Sequence, residues 1–370
     1  MNFVTIFTRL VVVLACWSSF IQAFAYPTLA RHGYTTCTTC HYNPSGGGML
    51  TSYGKYIAGE LFGALNDSST ALPYLKTPAE EPVFDAMLMT RVAQTYFDTP
   101  QVLRADFRKM QFDLEAGFVR SGYQAIAAVG PKLDAAIEGK EVPSTLTARR
   151  YWIGKVTLEY ALRAGKFFPE YGIYYYNHNI PTRKGLYFNH NEEPFNIQFS
   201  KFTETFDFTI AAIKGAPDSK LADMNGGVTT VSYKTGTKRF GISALRASSD
   251  EQRRTLSYGP FAQVGFWERG YLLAELDAKQ SVNAKGNQTN ERLGFAEVGW
   301  EVAKAVNPYT SADYYHNQTL ATTVTTPKIG LQVHPITHLE IIAEVGSNFI
   351  KTKETSSMAR QAVFMVNSYF

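Results

Sequence analysis

From Val83 onward the chain alternates apolar and polar residues with period two. Met110, Phe112, Leu114, Ala116 and Phe118 interleave with Lys109, Gln111, Asp113 and Glu115. Phe206, Phe208 and Ile210 bracket Asp207 and Thr209, and the stretches from Leu272 to Lys279, Ala296 to Val302 and Leu339 to Val345 repeat the pattern. Trp152, Val156, Leu158, Tyr160 and Leu162, set among Lys155, Thr157 and Glu159, read as another strand of this kind. Each such strand has one apolar and one charged face. A soluble sandwich would press the apolar faces together. A transmembrane antiparallel β-barrel would turn them to lipid and keep the charged faces in the lumen. The barrel fits better, because the segments continue for almost 290 residues with no second hydrophobic layer. The strands are also edged with Tyr, Trp and Phe, as interfacial girdles require. At ~10 residues per strand and a similar length for connections, the count is about fourteen strands, with twelve to sixteen compatible.

The preceding chain has a different rhythm. Leu50, Tyr53, Ile57, Leu61 and Leu65 recur at helical spacing and predict a short helix over 49–65. Asn66 to Pro82 is rich in Ser, Thr and Pro and marks a boundary between a small segment, 26–80, and the barrel, 81–370. Within the barrel, residues 164–194 are too long and aromatic for a tight turn. They fit either a loop folded into the lumen or an exposed extracellular loop.

The small segment carries Cys37-Thr38-Thr39-Cys40-His41. Cys-x-x-Cys-His is the attachment pattern of a c-type haem, with thioethers from Cys37 and Cys40 and an iron bond from His41. A redox Cys-x-x-Cys would call for a thioredoxin-like βαβ setting, which the sequence lacks. The third cysteine, Cys16, lies in a stretch, 1–25, that reads as a cleaved secretory signal ending Ala23-Phe24-Ala25, or less well as an acylation site at Cys16. Export suits haem attachment, since thiols there meet an oxidising compartment. After the motif come Pro44-Ser45-Gly46-Gly47-Gly48, a loop whose backbone can pass close to something flat. For the iron's sixth position the sequence offers Met49, His32, His178 and His190, the last two each at the centre of an Asn-His-Asn triplet. A thioether there would raise the reduction potential and a second imidazole would lower it.

With a net charge of +4, 18% charged residues and no basic run longer than a pair, the chain offers nothing to nucleic acid. No Gly-x-Ser-x-Gly, His-Glu-x-x-His or phosphate-cradling loop occurs. Acidic lumen residues such as Glu275, Asp277, Glu297 and Glu301 read as ordinary water-facing wall.

The layout of signal, single Cys-x-x-Cys-His and barrel closing on Phe370 resembles fused cytochrome–porin proteins of the Gram-negative outer membrane, which include monohaem iron(II)-oxidising cytochromes. Only Cys37, Cys40 and His41 match residue by residue. The run Tyr42-Asn43-Pro44 after the motif resembles other exported proteins, and Arg163 to Gly172 resembles a segment of phosphate-selective-porin-like barrels. The resemblance implies one covalent haem c, the outer-membrane bilayer as surroundings and a periplasmic electron-transfer partner. Electron transfer is the expected role, possible extracellular iron(II) oxidation included. A diffusion porin with a haem-bearing plug or sensor, and a haem enzyme with an open iron site, are the alternatives.

Overall fold

The computed structural model describes residues 27–65, 83–99, 102–132, 145–175, 177, 179–188, 192–217, 221, 223–251 and 253–369. The stretch expected to be a secretory signal (1–25), His178 and His190 lie outside the described residues.

Sixteen antiparallel strands close into one barrel, each paired with its neighbours in sequence and β1 with β16. They are β1 (Phe84–Asp98), β2 (Leu103–Arg120), β3 (Tyr123–Lys132), β4 (Thr145–Val156), β5 (Tyr160–Lys166), β6 (Phe195–Phe202), β7 (Phe206–Lys214) and β8 (Asn225–Thr235). The second half comprises β9 (Lys238–Ser248), β10 (Arg254–Phe266), β11 (Gly270–Val282), β12 (Gln288–Trp300), β13 (Val306–Asn317), β14 (Thr322–Ile336), β15 (Leu339–Lys351) and β16 (Ser356–Tyr369). The count exceeds fourteen because one rim is closed by tight turns, such as 121–122 and 236–237, rather than by connections as long as the strands. One of these turns divides the stretch read as a single strand around Trp152 to Leu162. The Thr157 hydroxyl caps it, accepting from the Tyr160 N–H at 3.1 Å and donating to the Tyr160 carbonyl at 3.0 Å.

Period two sorts the side chains as expected. Phe112, Leu114, Phe118, Phe208, Ile210, Leu276 and Val298 are exposed outward, while Asp113, Glu115, Asp207, Glu275, Asp277 and Glu297 are buried inward. An apolar waist of this kind is matched by hydrocarbon, not water. Phe266, Trp267 and Trp300 form one aromatic cluster at the short-turn rim, with Phe84–Phe118 and Phe206–Tyr233 as further ring pairs there.

Two inserts fill the lumen. The first is the chain from Pro27 to Leu65, which enters at the short-turn rim. It has short 3₁₀ turns at Pro27–His32 and Cys37–Thr39, then α1 (Ser52–Leu61). The second is the β5–β6 connection, which contains the single-turn α2 (Pro181–Lys184) and folds inward. The Gly172 N–H donates to Ser243 Oγ at 2.9 Å, the Ile173 N–H to Glu275 at 2.9 Å, and Lys279 donates to the Gly185 carbonyl at 2.8 Å. Arg183 is buried there among the rings of Phe168, Tyr174 and Phe188. Of the two placements open to this loop, the lumen is the one observed.

A cavity holding both thiols and the imidazole

The Cys-x-x-Cys-His motif is built on a tight turn. The Cys37 carbonyl accepts the N–H groups of Cys40 at 3.1 Å and His41 at 2.9 Å. His41 then bridges to Leu50, and the Tyr42 N–H reaches the Met49 carbonyl at 3.2 Å, so 41–50 is a small hairpin. Thr51 caps α1 by accepting the Gly54 N–H at 3.0 Å and donates to the Thr39 carbonyl at 3.2 Å. Gly54 is packed so closely on the turn that a Cβ there would collide with the Cys40 carbonyl oxygen. The start of the helix therefore fixes the motif from behind. The buried side of α1 is Gly54, Lys55, Ile57 and Ala58, with Lys55 paired to Asp85 at 2.7 Å, so Tyr53 of the predicted apolar stripe faces outward.

The hairpin is held by the barrel wall. Glu115 accepts the Met49 N–H at 2.9 Å and carries Arg150 on its other oxygen at 2.6 Å. Arg163 donates to Asn43 Oδ1 at 2.7 Å and Ser45 Oγ at 3.2 Å, with its guanidinium 4.0 Å from the Phe167 ring centre. Lys234 donates to Thr36 Oγ1 at 3.0 Å. The glycine loop is pressed between these supports. Gly48, at φ +74°, backs onto the Glu115 carboxylate, and the flat neighbour of Gly47 is the Tyr174 ring.

Cys37, Cys40 and His41 line one cavity of about 70 Å³ that opens to the outside. That is smaller than the ~300–1,000 Å³ typical of ligand sites, so a flat group tethered here would extend through the mouth rather than be enclosed. Its roof is the inward loop, through Pro169, Glu170, Tyr171 and Tyr174, and its far wall comes from strand ends at the short-turn rim, through Phe202, Asp207, Arg239 and Gln263. The cavity therefore lies between three separate pieces of chain and close to the rim at which the chain enters the barrel.

The donor set fits a covalently held haem. Both cysteines are unpaired and half-buried, and burial pushes the Cys37 thiol up to about 11 and the Cys40 thiol up to about 12. They are neutral thiols, the form that adds S–H across a vinyl group. His41 is buried, with Nδ1 3.4 Å from the Gly48 carbonyl. A carbonyl can only accept, so this contact places the ring proton on Nδ1 and the lone pair on Nε2, as a metal-binding imidazole requires.

Two of the other sequence candidates, Met49 and His32, are placed elsewhere. Met49 has no exposed surface and packs with Met87, Met89, Trp152 and Phe167, away from the cavity lining. His32 accepts from Arg31 at 3.2 Å and stands 3.6 Å from Glu301, also outside the lining. Glu115, Arg163 and Arg239 were missed as site residues. Strand parity puts them on the lumen face, but parity does not say what crosses the lumen to meet them. His334 and His338, likewise unremarked in the sequence, are buried at the short-turn rim, where the Phe62 ring lies 4.5 Å from that of His334.

No protein-family model and no curated protein sequence matches the chain. Solved structures share its fold. In-vitro folded OmpT, an outer membrane protein of Vibrio cholerae, aligns with TM-score 0.60 and 12% identity over 81% of this chain and 100% of that one. The outer membrane channel DcaP of Acinetobacter baumannii aligns at 0.56 and 8%, over 78% and 97%. The anion-selective porin from Comamonas acidovorans aligns at 0.56 and 10%, over 78% and 99%. The fold is thus that of outer-membrane porin-like barrels, and identities this low speak to fold alone.

Proposed function

We propose that the protein is an electron carrier of the Gram-negative outer membrane, exported by a cleaved signal and holding one haem c at the mouth of a plugged barrel. The observation that carries this reading is the meeting of both thiols and His41 in one cavity (Cys37, Cys40, His41). Cys37 and Cys40 would hold the porphyrin through thioethers, each formed by net addition of S–H to C=C with no change in oxidation level. His41 would bind iron through Nε2, oriented by its Nδ1 bond to Gly48. The bound group would supply a one-electron iron couple. The protein's part is to tether it, exclude lipid and leave it open to the periplasmic side, where a partner protein exchanges electrons. A diffusion porin is the weaker reading, because the Tyr171–Gly185 stretch is hydrogen-bonded across the lumen. The test is haem staining of purified outer membranes, comparing wild type with Cys40→Ala. Staining of the wild-type band that falls in the variant is expected, and a wild-type band without stain refutes the reading. A six-coordinate, low-spin haem that ignores carbon monoxide is expected of a carrier, and ready binding of it would mark an open-site enzyme instead.

A further inference from the structure

We propose that Glu275 and Asp277 form a buried one-proton site coupled through Tyr171 to the electron occupancy of the cavity. The inference rests on the haem reading above and adds a proton partner to it.

β11 sets the two carboxyl groups two residues apart on its lumen face, 4% and 0% exposed. They are within hydrogen-bonding reach of each other. Glu275 Oε2 accepts the Ile173 N–H at 2.9 Å, and Asp277 Oδ1 accepts the Tyr171 O–H at 2.6 Å. The other two oxygens, Glu275 Oε1 and Asp277 Oδ2, are buried without a hydrogen-bond donor. A carboxylate can only accept, so two adjacent ones leave those oxygens bare and repel each other. A single proton on either group provides the missing bond and removes the repulsion.

The surrounding charges call for the same proton. Arg183 faces the pair from α2, packed among aromatic rings and with its own Nε lacking an acceptor. Lys279, next on this face of β11, is taken by Glu291 at 2.9 Å and the Gly185 carbonyl. Glu297 on β12 accepts from Tyr175 and from Tyr271. Glu170 of the roof is taken by Gln198, Ser200 and Thr209. Nearest the pair, β9 presents Ser243 and β10 Ser257, both neutral, and Arg239 further along β9 is taken by Asp207, Ser232 and Gln263. One uncompensated cation therefore stands against two carboxyl groups.

Tyr171 connects this site to the cavity, since it lines the cavity wall and donates to Asp277. An electron delivered by a one-electron donor adds a negative charge one side chain away. In a low-dielectric interior that charge tightens the pair's hold on its proton. Over the pH range in which the oxidised protein gives the proton up, one electron and one proton therefore enter together, the proton leaving hydronium in solution to re-form the O–H bond on the pair.

The experiment is a redox titration of the detergent-solubilised holoprotein from pH 5 to 9, with dithionite as reductant and the haem absorbance as readout. A tenfold change in proton activity is worth at most ~59 mV for a one-electron couple. The wild-type midpoint is expected to fall toward that slope where the pair titrates. Asp277→Asn and Glu275→Gln are expected to flatten it, and Tyr171→Phe, which keeps the pair but removes the connecting hydroxyl, to make it shallower. If Asp277→Asn does not fold, the other two carry the test. A pH-independent wild type, or the same slope in all variants, overturns the proposal. A protein with no covalent haem overturns the underlying reading instead.

Discussion

The Glu115–Arg150 pair is the most exacting test of how the small segment is held. Glu115 is 1% exposed in its side chain and Arg150 14%. Both Arg150 bonds, at 2.7 and 2.6 Å, fall on Oε2, and Oε1 holds the Met49 N–H at 2.9 Å. Glu115→Ala strands a buried guanidinium and an amide together. Breaking a buried pair from one side costs about 3–5 kcal/mol. The cost falls on the hairpin 41–50, so it should appear as local opening rather than barrel unfolding. Hydrogen exchange of the Met49 amide in detergent should therefore accelerate by roughly two to three and a half powers of ten, at 1.4 kcal/mol per decade. Arg150→Met leaves the carboxylate buried with one donor and should cost a similar amount. The double variant removes both charges and orphans only the Met49 N–H, worth about 1–3 kcal/mol. The cycle should thus show strong positive coupling. Additive single effects, or unchanged exchange in Glu115→Ala, would refute the claim that this pair clamps the motif.

Two further outcomes follow from the same geometry. In planar bilayers the wild-type barrel should give no steady open steps, and removal of 170–188 should open it; large open channels in the intact protein would contradict a filled lumen. At the β12–β13 turn, Glu301 is partly buried, which opposes ionisation, yet His32 at 3.6 Å, Arg31 and the Ala305 N–H outweigh this and bring it from 4.5 down to about 2. A depressed carboxyl stabilises the folded state above its unfolded value, and that support is lost as pH falls from about 4.5 to about 2. Protease resistance of 27–32 should fall in that window in wild type, and Glu301→Gln should be weakened already at neutral pH with little further acid dependence.

The class of fold was legible because a two-residue period survives any uncertainty about turns. The number of strands was not, because tight turns such as Thr157 to Glu159 continue the alternation of the strands they join. The motif was legible for a chemical reason, since few functions require two thiols and an imidazole at that spacing. Its surroundings were hidden. Arg239, Asp207 and Tyr171 reach the cavity from β9, β7 and the β5–β6 loop, and only closure of the barrel brings them together. Met49 illustrates the limit in the other direction. Its short distance from His41 in sequence suggested a shared site, but the hairpin turns His41 to the cavity and Met49 to the wall.

The apolar cluster around Met49 explains how so short a segment can be fixed at all. Leu29, Tyr42, Met49, Leu50, Ala58 and Phe62 come from it, while Met87, Met89, Val119, Ile126, Trp152 and Phe167 come from the barrel and its inward loop. Neither half is a core alone, and about 40 residues could not bury a sizeable one. A barrel lumen is ordinarily polar. Here β1, β3 and β4 turn Met87, Met89, Ile126 and Trp152 inward, while Ile153 beside Trp152 still faces out at 66% exposure. A strand apolar on both faces is the signature of burial on both sides. The period-two reading therefore grouped Trp152 with the lipid-facing residues, whereas the structure turns it inward. The second apolar face marks where the wall stops being a channel lining and becomes half of a hydrophobic core. It follows that the segment cannot be separated from its barrel: expressed alone, residues 26–80 should neither pack around Met49 nor shield a haem, whereas the same segment supplied to an empty barrel should dock through Trp152 and Glu115.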